Sequence, residues 1–312
     1  MANTDLAVKL RRQLIALQCT QGGWSFRANQ QAVEPTCLVI LALRHNRTAD
    51  VEVALRAIET LQNCDGSWPA FMDDKPEGCW TTSLAVLTLM ATQRQSERVQ
   101  RGVRWLLDAK GRESIWFWRW KFQAVDKSVQ FDPAKYGWSW VSGTTSWIIP
   151  TAFSLIALRQ VQTRGFLQSA YIAERINTGI SMLLDRMCPG GGWNAGNGVA
   201  FGVPYAPHID ATSTALLSLA GHEKEPRVQD SVRWLLAHLP RCPSPYSLAW
   251  GIIALAVYRR MGDEVSETVD RATKVLATLL QNPAATGDIC TLAVCALAFE
   301  AVEGDNVFEV RG

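Results

Sequence analysis

Two kinds of apolar segment alternate along this chain, and the alternation constrains its fold more than any single residue does. Helix-spaced segments at about 5–19, 48–62, 96–109, 168–187, 225–239 and 264–281 carry charge on one side. Between them, segments at about 36–45, 81–93, 151–162, 212–221, 246–260 and 289–302 are more uniformly apolar. An amphipathic helix has one wetted face, whereas a helix apolar all round is buried all round. Six wet helices alternating with six dry ones predict two concentric rings. Closing six helical hairpins into a ring buries every inner helix and leaves no open end. The fold expected is all-α, an (α/α)6 toroid. No Pro/Ser-rich linker or low-complexity tract interrupts residues 1–312, so one domain is expected.

The connections repeat as well, with a period of about 45–60 residues, too long for the common solenoid repeats. Gln62–Trp68 reads QNCDGSW, Gln18–Trp24 reads QCTQGGW, Met187–Trp193 reads MCPGGGW and Tyr136–Trp140 reads YGWSW. Behind them, Glu34-Pro35-Thr36, Trp80-Thr81-Thr82, Ile149-Pro150-Thr151 and Asp210-Ala211-Thr212 open the dry segments. Gly22-Gly23, Gly66 and Gly190-Gly191-Gly192 are placed to cap outer helices in the left-handed conformation. Thr36, Thr151 and Thr212 are candidate N-cap oxygens, and Pro35 and Pro150 suit a first helical turn. The stretch from Gly111 to Trp147 departs from the repeat and is rich in tryptophan. A long loop in a compact domain reads as a lid or binding loop.

Composition narrows the function classes. A net charge of +2 over 312 residues supports neither a nucleic-acid footprint nor an acidic tail. The N-terminal segment lacks the basic-then-apolar pattern of a signal peptide, and Leu248 to Val257 is too short to span a bilayer. The eight cysteines show no CxxC pair, and reduced thiols in a cytoplasmic protein are expected.

These residues resemble the terpenoid cyclase and protein prenyltransferase superfamily. QNCDGSW at 62–68 is similar to the repeated QW motif of squalene-hopene and oxidosqualene cyclases, and QCTQGGW is a looser copy. The resemblance runs over essentially the whole chain. It implies a toroid with a central apolar cavity, open where the inner helices start. It also implies that Gln62, Asp65 and Trp68 are structural, tying outer helices together. Bacterial members that protonate an alkene carry Asp-x-Asp-Asp-Thr at an inner-helix start, the middle Asp being the donor. Here the segment is His208-Ile209-Asp210-Ala211-Thr212. Asp210 falls on the donor position, while His208 and Ala211 replace the flanking acids.

Such chemistry needs an acid held neutral in a dry pocket, with a partner tuning its pKa. Ring faces must meet the cation. The expected catalytic residues are Asp210, as general acid, and His208, as its partner. Cys79, Trp80, Trp147, Tyr205, Tyr246 and Trp250 lie at or near inner-helix starts and are the expected substrate-binding residues. The expected substrate is apolar and isoprenoid-like, with no cofactor and no Mg²⁺. Asp210 is equally placed as an ordinary helix N-terminal acid, as Glu34 is. Asp73-Asp74 has the form of a chelating pair and reads as solvated.

Two other readings stand beside the cyclase. Prenyltransferases of the superfamily bind zinc through an Asp, a Cys two residues later and a His. Glu77-Gly78-Cys79 imitates the first pair, but the His position falls on Ala211. The second alternative is a non-catalytic lipid- or partner-binding toroid. Squalene-hopene cyclases resemble two toroids with substrate between them, so one toroid implies a homodimer, a second cyclase-domain chain or a smaller substrate. The resemblance also implies peripheral membrane contact, for which the sequence offers no basic amphipathic helix.

Overall fold

The computed structural model describes residues 2–310 apart from 27–29, 47, 73–76, 95–96, 125–129, 168 and 283–286. Asp73 and Asp74 lie outside the described residues. Six mostly buried helices form the inner ring: α2 (Val33–Ala42), α4 (Thr81–Ala91), α7 (Ile148–Thr163), α9 (Ile209–Ser218), α11 (Pro245–Val257) and α13 (Ile289–Val302). Each contacts the next, and α13 packs on α2 to close the circle. Around them stand α1 (Ala2–Ala16), α3 (Ala49–Thr60), α5 (Glu97–Asp108), α8 (Ala170–Asp185), α10 (Pro226–His238) and α12 (Asp263–Leu279). The molecule is an all-α toroid, as the alternation of wet and dry segments implies.

The hairpins pair differently from their order in the sequence. Each outer helix packs chiefly on the inner helix that precedes it, as α3 does on α2 and α5 on α4. That leaves α1 for α13, so the two ends of the chain share one hairpin. The closing seam carries a buried ion pair, with Glu300 of α13 accepting from both Arg11 and Arg44.

The tryptophan loops clamp the two rings together. The indole N–H groups of Trp24, Trp68, Trp138 and Trp193 donate to the carbonyls of Leu14, Ile58, Leu106 and Leu183, each at 2.7 Å. Every acceptor lies in the last turn of an outer helix, where carbonyls lack intrahelical partners. The backbone N–H groups of the same four tryptophans donate to Thr36, Thr82, Thr151 and Thr212 at 2.9–3.0 Å. These threonines are therefore not N-caps. Ala32, Trp147 and His208 hold the N-cap places of α2, α7 and α9 without a side-chain cap bond. Gln18 and Gln62 reach sideways: their amides donate to Asp50 and Arg98 carbonyls at the starts of α3 and α5 (2.9 and 2.8 Å). Asp65 instead accepts from Ser67 within its own turn (3.0 Å).

Of the glycines expected as caps, Gly22, Gly66 and Gly190 to Gly192 are left-handed and Gly23 is not, and none caps an outer helix. Gly66 (φ 96°) closes a turn beyond the end of α3, and a Cβ there would sit 2.5 Å from the Arg101 carbonyl oxygen. Only a residue without Cβ allows that approach.

The 111–147 stretch contains a helix of its own, α6 (Trp116–Ala124), with Trp116, Phe117 and Trp120 exposed. Its base is pinned by buried charge. Glu113 accepts from the Arg186 guanidinium at 2.7 Å and from the Ser146 N–H at 3.2 Å. Arg175 donates to the Gly137 carbonyl at 2.7 Å and stands 3.4 Å over the Trp138 ring. A two-stranded hairpin, β1 (Val199–Ala200) and β2 (Val203–Pro204), turns through Phe201 and Gly202, both at positive φ. All eight cysteines are unpaired, and six are buried. No helix among the described residues is long and apolar enough to cross a membrane.

Candidate active-site cavity

Inner helices start where outer helices have ended, so their first turns gather around one mouth of the ring. A cavity of about 70 Å³ lies there. Five inner helices line it: Glu34 and Leu38 from α2, Trp80 and Leu84 from the start of α4, Ile149 and Phe153 from α7, Asp210 and Thr214 from α9, and Tyr246 and Trp250 from α11. Trp140 of the tryptophan-rich stretch completes the wall. Among the described residues, the walls are mostly apolar and aromatic, with two carboxyls and no arginine or lysine.

The rings form one connected cluster. Trp80 meets Trp140 edge to face at 5.1 Å between centroids and Phe153 at 5.7 Å. Phe153 meets Trp250 at 5.5 Å, and Tyr246 meets Trp250 at 6.3 Å. Beneath them, Phe308 packs on Trp250 at 5.2 Å and on Phe153 at 6.0 Å. Phe308 belongs to the segment after α13, which is tied to the inner-helix C-termini. The Asn306 amide donates to the Ile253 carbonyl (2.9 Å), and the Gln160 amide donates to the Val307 carbonyl (2.8 Å). The ring's hole is thus filled from the far end.

Of the residues expected from the sequence, Asp210, Trp80, Tyr246 and Trp250 come together in this cavity. Trp147 does not line it. Its N–H donates to Trp138, the next residue donates to Ala195, and its ring faces Gly196. Tyr205 is half exposed beside the hairpin, held by a backbone bond to Gly198 (2.8 Å). Cys79 is buried behind the wall, its Sγ 3.0 Å from the Thr81 hydroxyl, and burial pushes its thiol up. His208 is exposed, and among the described residues no hydrogen bond joins it to Asp210. Its backbone N–H donates to Trp193 (2.8 Å), so its place is set by the clamp. Glu77 is exposed while Cys79 is buried. The three-ligand group found among the described residues is instead His45, Glu300 and Asp305, near the other end of the ring, where arginines hold both carboxylates.

Among the wall residues, Glu34 and Phe153 are not expected at the site from the sequence, and Trp140 belongs to the stretch that reads as a lid or binding loop. For Glu34 a signal existed, since it stands two residues before Thr36 as Asp210 stands before Thr212. Both are second residues of inner helices. Burial, and then the charge of Asp288, raise the Glu34 carboxyl to about 7. Burial also pushes the Tyr246 phenol up, reinforced by the negative charges of Glu34 and Asp210. Trp140 reaches the wall because its carbonyl accepts from the Trp80 N–H (3.1 Å), and Val141 bridges to Cys79.

No family model and no curated protein matches this sequence. Solved structures do resemble it. The type II terpene cyclase MstE from Scytonema superposes with a TM-score of 0.65 at 14% identity, covering 98% of this chain and 99% of that one. A variant of MstE holding geranylgeranyl dihydroxybenzoate, its substrate, gives 0.65 at 15% identity over 97% and 98% of the two chains. The ent-copalyl diphosphate synthase from Streptomyces platensis gives 0.59 at 19% identity, over 87% of this chain and 50% of that one. The first two likenesses run from end to end of both molecules, and the fold of this chain is that of the type II terpene cyclases.

Proposed function

We propose that this protein is a proton-initiated cyclase or isomerase of an apolar, isoprenoid-like substrate, with Asp210 as general acid. The observation that carries the reading is a cavity at the inner-helix starts walled by aromatic rings, with carboxyls and, among the described residues, no basic side chain. Protonating an alkene needs an acid whose O–H is not spent on a neighbour. The Asp210 carboxyl has no hydrogen-bond partner among the described residues. The cation that follows needs electron-rich faces, and Trp80, Phe153, Tyr246 and Trp250 supply them. Water must be kept out, and the aromatic cluster with Phe308 below does that. MstE, which shares the fold, binds a geranylgeranyl dihydroxybenzoate substrate. That supports a prenyl chain as the occupant here.

A cavity of about 70 Å³ is far below the roughly 300–1,000 Å³ of typical small-molecule sites. A prenyl chain enters only if part of the wall moves. Trp140 is the wall residue on the long connection, held by one backbone bond and its contact with Trp80, and it is the side chain we expect to swing out.

The test is a product screen by mass spectrometry. Squalene, oxidosqualene, and farnesyl and geranylgeranyl alcohols and diphosphates are incubated with wild type and Asp210→Asn. The expected outcome is a cyclised or isomerised product whose formation falls at least about 100-fold in the variant. Full turnover by Asp210→Asn removes the acid role. The small cavity favours a second reading, a toroid that binds an apolar ligand without chemistry. Tight binding of a prenyl chain recovered unchanged would select it.

A further inference from the structure

Two carboxyls face the cavity, and the reading above uses only one. Glu34 stands on α2, opposite α9 in the ring order α2, α4, α7, α9, α11, α13. It lines the same cavity as Asp210 but from the other side. Its carboxyl has neither a hydrogen bond nor an ion pair among the described residues, although it is largely buried. Among the described residues, no arginine or lysine lines the cavity to compensate it. A carboxylate set in a largely buried wall without donors or a counter-ion is costly, so its ionised form gains most when a positive charge enters the cavity. The aromatic walls are built to receive such a charge.

We propose that Glu34 is the base that ends the reaction, taking the proton lost by the final carbocation, and that the cavity accordingly binds prenyl cations through this carboxylate. The inference rests on the proton-initiated reading above. In the first step the Asp210 O–H bond breaks and a C–H bond forms at one alkene carbon, leaving the cation on the other. Neighbouring alkene electrons close the ring or rings and move the cation along the chain. In the last step a C–H bond beside the cation breaks, its electron pair becomes the new double bond, and the proton passes to a Glu34 carboxylate oxygen. Glu34 then releases a proton to solvent and Asp210 takes one up. One proton enters and one leaves, so the reaction is an isomerisation that consumes no co-reactant.

The environment of Glu34 suits a base at neutral pH. Burial and the Asp288 charge raise it to about 7, where a group both accepts and releases protons readily. Among the described residues, the other titratable groups around it are Cys37 on its own helix, Cys79 beside α4, Asp210 on α9, Tyr246 on α11, and Asp288 and Cys290 at the start of α13. Burial pushes all three thiols and the phenol up, so they stay neutral through this range.

The experiment is calorimetric binding of two probes, N,N-dimethylgeranylgeranylamine, a tertiary ammonium through this range, and the uncharged geranylgeraniol. Wild type, Glu34→Gln, Glu34→Asp and Asp210→Asn are compared between pH 5.5 and 8. Wild type is expected to prefer the ammonium by at least about tenfold at pH 8. That preference should collapse in Glu34→Gln at every pH, fade in wild type as Glu34 is protonated toward pH 5.5, and return in Glu34→Asp. An unchanged preference in Glu34→Gln overturns the proposal, as does its loss in Asp210→Asn alone. On a turned-over substrate, Glu34→Gln should still consume it but divert product toward the water-captured alcohol, whereas Asp210→Asn should stop consumption. Wild-type product from Glu34→Gln overturns the role as base. Absence of turnover by wild type sinks the cyclase reading and the base role with it. Ammonium binding still decides, by itself, whether Glu34 faces the cation.

Discussion

At the scale of single residues, the loop tryptophans tie the two rings together, each through two bonds. Trp68 donates its indole N–H to Ile58 and its backbone N–H to Thr82, so one residue joins an outer helix to an inner one. Glu34 does the opposite, standing in a wall without a partner among the described residues. Its ionisation is therefore linked to folding. The folded carboxyl sits at about 7 and the unfolded reference at 4.5, so the folded state holds the proton more tightly. Its contribution to stability is fully present below the unfolded value and is lost as pH rises through about 7. The loss amounts to about 3 kcal/mol at 1.36 kcal/mol per unit. Glu34→Gln should escape it, gaining on wild type by that amount between pH 4.5 and 7.5 in guanidinium unfolding. Parallel stability curves for the two proteins would show that Glu34 is solvated in the folded state.

At the scale of elements, the tryptophan-rich stretch depends on charge that the repeats do not use. Glu113 and Arg186 are both buried, and Arg186 also donates to the Ser146 carbonyl at 2.6 Å. Removing one member strands the other without water. Glu113→Ala should cost about 3–5 kcal/mol, seen as a drop in melting temperature. It should also loosen the stretch that brings Trp140 to the cavity, seen as faster amide exchange over 131–147. A loss below about 1 kcal/mol would mean that the pair is solvated in the folded protein. The repeats themselves were legible here because helix periodicity is local. Predicted segments at 48–62 and 289–302 match α3 and α13 within two residues at each end. The first-turn threonines of the inner helices read as caps in sequence because a hydroxyl near a helix start looks the same whether it serves its own helix or a tryptophan 12 residues earlier, as Thr36 serves Trp24.

At the scale of the whole molecule, closure and plugging decide what the cavity is. α13 meets α2, and the segment behind α13 sends Phe308 back into the hole, where it is fully buried against Trp250 and Phe153. Phe308→Ala should cost about 3–5 kcal/mol and enlarge the cavity from below. The enlargement should appear as binding of a longer prenyl alcohol than wild type accepts. Unchanged stability and unchanged chain-length preference would show that the plug is dispensable.

The sequence by itself determined the twelve helices of the rings, their order, which are wet and which dry, and hence the two-ring architecture, but not α6 within the tryptophan-rich stretch. Those properties follow from hydrophobic periodicity and from glycine, proline and tryptophan at set places in the connections, all written over a few residues. It also pointed to Asp210, Trp80, Tyr246 and Trp250, because inner-helix starts share one register. Only the tertiary structure decided that Glu34 faces the cavity with Asp210, that Trp140 and Phe153 wall it, that Trp147 and Tyr205 do not, and that His208 stands in solvent. Which first-turn side chains meet across a ring depends on contacts between residues far apart in the chain. One position of rotation about a helix axis moves a side chain by about 100°, and that is set by packing against neighbours rather than by local sequence.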